Sequence, residues 1–437
     1  MPDNYSLIIK NGSCYIGGKF QNIDIALSGD KIKKIGKISL NNAKVIDASN
    51  KMVLPGVFDT QVLFREPGAN VAENLESGSR AAIAGGITSV FEMPNTNPPT
   101  STFKEFNNKI IAAKNRMFCN YAFYFGATPD NMKELASVNS LEGCCGVKLF
   151  AGSSTGNLLV SQEKDIEKVI SNSSKIISVH SEDENILLSR KKFIKEGDVT
   201  SHPVWRNEEC ALESTKRVVR IAQKYKKKIH ILHVSTKEEI DFFSEKRDGV
   251  TFEITPQHLT LFAPDCYEKL KTFSQMNPPI RSKDHYDRLW DAVKNSLVST
   301  IGSDHAPHTK AEKNKKYPLS PSGMPGVQTL LPIMLDHVNK GKIKLEKLIK
   351  LVCENPCDLF GIKHKGYIKE NYDADLTIVD MNKEVVIKDD WIESKCGWTP
   401  FNNYKVKGFP VATIVNGEIV MENSKIISPA KGKPLNF

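Results

Sequence analysis

Short apolar runs alternate with longer amphipathic stretches through the middle of this chain. Residues 88–91, 146–150, 176–179, 229–234 and 299–302 have the composition of buried strands. Between them, Leu75–Ala84, 104–115, 162–171, 210–225 and 286–295 repeat apolar residues at helical spacing. This alternation predicts βαβ units and a parallel sheet, and over about 300 residues the economical closure is an α/β fold of the (β/α)8 TIM type. The two ends are patterned differently. Leu7–Lys10, 23–27, 31–35 and Lys44–Asp47 at the start, and 375–380, 385–387 and 411–421 at the end, read as short strands. Asn11-Gly12, Gly17-Gly18 and Asn416-Gly417 are hairpin signals. Neither end has enough apolar residues for its own core, so both are expected to pair into one small β-sandwich. Residues 1–54 and 359–437 would form its two parts and 55–358 the barrel.

Composition narrows the class. Of 437 residues, 40% are hydrophobic, 25% charged and 8% aromatic. These are globular values, and they exclude collagen-like, coiled-coil and largely disordered chains. The net charge of +9 permits an anionic small-molecule substrate, but it is not gathered into the basic stripe of a nucleic-acid binder. No apolar run reaches membrane-spanning length, and the start, Met-Pro-Asp-Asn-Tyr-Ser, lacks signal-peptide features. The expectation is a cytoplasmic protein without nucleic-acid or membrane partners. Nine cysteines, an odd number, fit free thiols in a reducing compartment, and Cys353 and Cys357 lack a second pair for a zinc knuckle. No phosphate-cradling glycine motif occurs.

Polar clusters stand directly after three apolar runs: His180-Ser181-Glu182-Asp183, His233-Val234-Ser235-Thr236, and Ser303-Asp304-His305-Ala306-Pro307-His308. Strand C-terminal ends of such a barrel converge on one mouth. A single histidine is ordinarily a satisfied core residue. Imidazoles and a carboxylate from three strands are a donor set for a Zn²⁺ with an open position, which favours a metal hydrolase. Lys148 ends a fourth apolar run, where a buried ammonium must be paired, neutralised or carboxylated by CO2. Gly152-Ser153-Ser154-Thr155-Gly156 also matches a serine nucleophile elbow. Lys313, Lys315 and Lys316, with residues 317–320, are expected to form a mobile cationic loop over the site.

Further segments are more specific. Leu54-Pro55-Gly56, Phe64-Arg65-Glu66-Pro67-Gly68, Met93-Pro94-Asn95-Thr96-Asn97-Pro98 and the run from Lys148 to Gly156 come first. Thr255-Pro256-Gln257-His258-Leu259, Met276-Asn277-Pro278-Pro279, Pro321-Ser322-Gly323-Met324-Pro325-Gly326, Gly397-Trp398-Thr399-Pro400-Phe401 and Val406-Lys407-Gly408 follow in order. With the three histidine-bearing clusters, they make the chain resemble the class I dihydroorotases of the amidohydrolase superfamily, in their proteobacterial branch. The resemblance implies reversible cyclisation of N-carbamoyl-L-aspartate to L-dihydroorotate, a step of pyrimidine synthesis. It implies that Lys148, carboxylated, bridges two metal ions and that His180 and His233 bind the more buried one. Asp304 would bind the other and shuttle the proton between the attacking water and the ring nitrogen. Arg65, Asn95, Asn277, His308 and the Ser322-Gly323 backbone would hold the substrate. An arginine fork suits its carboxylate and asparagines suit a ureide edge. The family habit is a homodimer.

One departure matters. The family's first barrel strand ends in His-x-His, whereas here Asp59-Thr60-Gln61-Val62-Leu63 puts Gln61 and Leu63 at those positions. An amide oxygen is a poor zinc donor and an isobutyl group is none. The expectation is one Zn²⁺ per chain rather than two, held by Lys148, His180 and His233. Three readings stay open: a working dihydroorotase, an impaired homologue that stabilises aspartate transcarbamoylase, and a normal enzyme in which Leu63 is a variant residue. Dihydropyrimidinase, hydantoinase or allantoinase activity is a further alternative, against which Arg65, Asn95 and Asn277 argue for a carboxylated substrate.

Overall fold

Eight strands follow one another around a single parallel sheet: β1 (Val57–Val62), β2 (Ile87–Glu92), β3 (Asn120–Gly126), β4 (Cys144–Phe150), β5 (Ile177–His180), β6 (Ile229–Ile231), β7 (Val250–Ile254) and β8 (Thr300–Ile301). The circle closes just past β8. There Val62 pairs in parallel with His305, Leu63 N–H donates to the His305 carbonyl (2.7 Å), and His305 N–H donates to the Gln61 carbonyl (3.3 Å). This is the expected (β/α)8 barrel. The computed structural model describes residues 4–39, 42–154 and 156–437.

The helical pattern succeeds where caps and spacing agree. Leu75–Ala84 starts at Asn74, whose side chain accepts the Ser77 N–H, and stops at Gly85-Gly86. Glu163–Asn172 buries Ile166, Val169 and Ile170, one face at three- and four-residue spacing. Three barrel strands, β1, β3 and β7, lie outside the runs read as strands. In β1 and β7 the interruption is polar. Asp59 accepts the Ser303 N–H (2.9 Å), and Thr60 donates to Glu253 of β7 (2.6 Å) inside the barrel. A strand that feeds polar groups into its own barrel does not present a continuous apolar run.

Both ends of the chain do build the second layer system. Lys19–Asn22, Ser13–Ile16 and Met52–Pro55 join Leu376–Val386, Lys405–Val415, Glu418–Glu422 and Lys425–Ile426 in a seven-stranded sheet. A four-stranded sheet of Leu7–Lys10, Asp24–Ser28, Lys31–Gly36 and Lys44–Asp47 shares its core: Ile9, Ile25 and Leu27 cluster with Leu376, Ile378 and Ile414. The hairpin reading of Asn11-Gly12 is corrected here. Leu7–Lys10 and Ser13–Ile16 belong to different sheets, and the dipeptide carries the chain between them. Gly17-Gly18 and Asn416-Gly417 do connect antiparallel partners. Gly417 has φ +82°, and a Cβ there would lie 1.9 Å from the Gly29 carbonyl oxygen, so this turn admits no side chain.

All nine cysteines are buried free thiols. Among the described residues no helix is long and apolar enough to cross a membrane. Glu92 at the end of β2 and Lys109 of the helix Phe103–Ala113 form an ion pair that is almost fully buried. Lys109→Met leaves that carboxylate alone and is expected to cost about 3–5 kcal/mol in urea unfolding. Glu92→Gln/Lys109→Met should recover at least half of the loss, because glutamine still accepts the Phe64 N–H that Glu92 now takes.

Candidate active site

Every residue singled out in the sequence arrives at the carboxyl end of the barrel. Gln61, Leu63, Asn95, Lys148, His180, His233, Asn277, Asp304, Ser322 and Gly323 line one narrow cleft. Arg65 and His308 line an adjoining pocket that shares Asn95. Backbone geometry aims three of them: Arg65 (φ 62°), His233 (φ 39°) and Asp304 (φ 46°) follow strands β1, β6 and β8 in left-handed conformation. Each such residue costs roughly 1–3 kcal/mol that the surrounding structure must offset. Thr155 lies outside the described residues.

The innermost groups are nitrogen donors. His180 Nε2–H donates to Glu182 (2.8 Å), which leaves the Nδ1 lone pair facing His233 Nε2 at 3.0 Å. Glu182 is fully buried and forked by Arg206. Burial opposes its charge, but Arg206 and His180 outweigh burial and hold the carboxyl far below its usual range. Arg206 also donates to the Ser153 carbonyl, tying the loop after β4 to the histidine. Burial lowers the pKa of both imidazoles, so they stand neutral with lone pairs available. Burial likewise pushes Lys148 down towards the neutral amine, its Nζ 4.5 Å over the Phe150 ring.

This set fits one cation. Tetrahedral zinc with Zn–N near 2.0–2.1 Å separates two donors by roughly 3.3 Å, close to the His180–His233 spacing. Among the described residues no three His, Cys, Asp or Glu side chains gather closely enough to hold a metal ion, and Lys148, lining the same cleft, would be the third protein donor. A second cation does not fit. Gln61 turns its amide N–H towards Asp304 Oδ1 (2.8 Å), and Leu63 is packed into an apolar cluster with Met93, Leu232 and Ala306. Asp304 itself is buried, which raises its carboxyl well above the usual range.

At the other end of the cleft, Arg65 Nε donates to the Pro307 carbonyl (3.1 Å) and Nη2 meets His308 Nε2 (3.2 Å). Burial lowers the guanidinium pKa to about 10, which leaves it a cation. Among the described residues no carboxylate lies within ion-pair distance of it. Asn277 is held through Oδ1 by His202 Nε2 (3.0 Å), and His258 Nε2 reaches the Pro278 and Pro279 carbonyls (3.3 Å each). Gln275 latches the Ser320–Gly323 turn: Nε2 donates to Ser322 Oγ, and its carbonyl accepts the Gly323 N–H.

One expectation is corrected here. The cationic loop is not free at its root. Lys313 is buried and donates to the Gln275 (3.1 Å) and Pro321 (2.8 Å) carbonyls, and Tyr317 is buried against His202, whereas Lys315 and Lys316 are exposed. Ser153, beside the elbow-type Ser154, donates its Oγ to Glu184 (2.7 Å). Glu182 carried a readable signal, two residues after a candidate ligand. Arg206, His202 and Gln275 come from loops and short turns whose approach nothing local announces.

Glu182→Gln weakens the hold on the His180 tautomer and is expected to lower zinc affinity about 10- to 100-fold in a chelator-competition titration. Burial brings His258 to a pKa of about 4, against about 6.5 in the unfolded chain. Between those values the unfolded state takes a proton that the native state refuses, so stability falls with pH from about 6.5 to about 4. This residue contributes up to about 3 kcal/mol of that fall. His258→Gln should flatten this part of the urea-midpoint profile.

Residues 52–420 match the model of the amidohydrolase family. A protein of Methanosarcina mazei named dihydroorotase is 35% identical over 453 aligned positions, covering 99% of this chain and 97% of its own. One of Pyrococcus furiosus with the same name is 35% identical over 405, covering 92% and 90%. The solved structure of an L-hydantoinase (dihydropyrimidinase) from Arthrobacter aurescens superposes with a TM-score of 0.94 at 28% identity, over 99% of this chain and all of that one. The shared fold is thus accompanied by likeness along nearly the whole sequence, and the chain belongs to the amidohydrolase family.

Proposed function

We propose that this chain is a dihydroorotase, cyclising N-carbamoyl-L-aspartate to L-dihydroorotate reversibly in pyrimidine biosynthesis, with one Zn²⁺ rather than two. The observation that carries the reading is Arg65, a buried guanidinium at the cleft with no carboxylate within ion-pair distance among the described residues. A buried cation left unpaired is costly unless its ligand brings the anion. Carbamoyl aspartate does so; an uncharged hydantoin or dihydropyrimidine does not. The relatives named dihydroorotase support the same choice.

Lys148, His180 and His233 would hold the metal ion, Lys148 as a carbamate. Burial favours the neutral amine, whose lone pair adds to CO2 with loss of a proton. A cation there lowers the pKa of a bound water towards 7 and polarises the amide carbonyl. Asp304, its carboxyl raised by burial, takes up and returns the proton exchanged with the ring nitrogen. Arg65 and His308 receive the substrate carboxylates, and Asn95, Asn277 and the Ser322-Gly323 backbone its ureide and ring atoms. The division at residues 1–54, 55–358 and 359–437 belongs to this proposal, supported by Met52–Pro55 lying in the outer sheet and Val57–Val62 in the barrel. So do the class I, proteobacterial-branch assignment, the homodimer and a cytoplasmic location.

A second reading has its own observation. Gln61 and Leu63 remove two donors, which favours an impaired homologue stabilising aspartate transcarbamoylase. A substrate panel separates these. Carbamoyl aspartate should be turned over in preference to dihydrouracil and allantoin. Arg65→Met should lower its kcat/KM by about 100-fold, the worth of a bidentate charged pair. Turnover confined to the uncharged amides would show a hydantoinase-type enzyme. No turnover by zinc-loaded protein would leave the scaffold reading.

A further inference from the structure

Gln61 stands at the end of β1 where the family pattern has its first histidine, and its amide makes a contact that a metal ligand would not. Nε2 donates to Asp304 Oδ1 at 2.8 Å. In this arrangement the amide presents its N–H and the carboxyl oxygen accepts it. The remaining atom, Oε1, is buried with no hydrogen-bond partner among the described residues. Two positions on, Leu63 is 7% exposed and belongs to the cluster of Met93, Leu232 and Ala306, so hydrocarbon stands where a second imidazole would be needed. A cation beside Asp304 would be stripped of water without gaining nitrogen donors from β1.

The Gln61 backbone is fixed by the same seam. Its N–H donates to Asp59 Oδ1 (3.2 Å), which also accepts the Ser303 N–H, and its carbonyl accepts the His305 N–H (3.3 Å). Gln61 and the 303–305 turn are therefore tied together on both sides of Asp304.

We propose that Gln61 is a positioning residue whose amide takes the place of a second metal ion in holding Asp304, and that the site is built for one cation. The inference rests on the reading of Lys148, His180 and His233 as donors to a single Zn²⁺ and of Asp304 as the proton carrier. With Oδ1 engaged by Gln61, the exchanged proton travels on Oδ2.

The test uses the full chain loaded with Zn²⁺ and bicarbonate, as wild type, Gln61→Leu, Gln61→Asn and Gln61→His/Leu63→His. Zinc per chain is counted by native mass spectrometry, and kcat and KM for carbamoyl-aspartate cyclisation are measured separately. One zinc is expected in the first three proteins and two in the double variant. Both single variants should lose about 10- to 100-fold in kcat, the worth of a hydrogen bond to a charged group, with KM within about threefold because Arg65 still holds the carboxylate. The double variant should regain about tenfold or more of that loss through its second metal. The shorter Gln61→Asn cannot span the bond but keeps a polar group, so it carries the test if Gln61→Leu does not fold. Two zinc ions in the wild type, one in the double variant, an unchanged kcat in both single variants, or a kcat loss matched by loss of zinc would each overturn the inference. Should wild type fail to cyclise carbamoyl aspartate, the dihydroorotase reading falls. The change from one zinc to two would still decide how many cations the site admits.

Discussion

The closing seam of the barrel is the constraint on which the rest of the molecule depends. β1 and the turn after β8 are joined by main-chain hydrogen bonds of Gln61 and Leu63 with His305, and by the Asp59 carboxylate, which accepts from both Gln61 and Ser303. A parallel barrel has no free edges only if its first and last strands meet. Here they meet through main-chain hydrogen bonds and the buried Asp59 carboxylate rather than an apolar zip. The seam also sets the chemistry, because Asp304 lies within it in left-handed conformation, with its carboxyl on the Gln61 amide. Closure of the fold and placement of the acid–base group are one arrangement.

Burial then decides which charges survive. His180, His233, His258 and His308 are all pushed towards the neutral form by desolvation, and Lys148 is pushed the same way. Two ions resist. Glu182 stays charged because Arg206 forks it, and Arg65 stays charged because its intrinsic pKa is so high. The cleft therefore holds neutral nitrogen donors at one end and, at the other, a cation with no carboxylate within ion-pair distance among the described residues. That polarity suits a substrate with a carboxylate far from its reacting amide. It also separates this cleft from what an uncharged cyclic amide requires, although the barrel superposes closely on an L-hydantoinase.

Much of this was legible before any coordinates. The five strands read from apolar runs and the five helices read from their periodicity are present, and every singled-out site residue reaches the same mouth. What escaped has physical reasons. β1 and β7 carry Asp59, Thr60 and Glu253 into the barrel interior, and this breaks the apolar run that marks a strand. Lys313 looks like a solvated loop lysine in sequence, yet backbone carbonyls from Gln275 and Pro321 satisfy it in the interior. Asn11-Gly12 has the chemistry of a tight turn, but its flanking strands found partners in different sheets.

The sequence by itself determined the barrel, the terminal sandwich, the identity of the ligand candidates and the absence of two histidines at the end of β1. The fold is carried by periodicity, and the ligand candidates and missing histidines by residue type set against the family pattern. Tertiary structure alone decided what replaced the missing imidazoles. Gln61 and Asp304 lie 243 positions apart, and only barrel closure brings an amide hydrogen to within 2.8 Å of the carboxylate. It alone decided the partners of His180 as well, since Arg206 reaches Glu182 from a separate loop. Hydrogen bonds form between atoms adjacent in space, and in a closed barrel spatial neighbours are set by strand order around the circle rather than by distance along the chain.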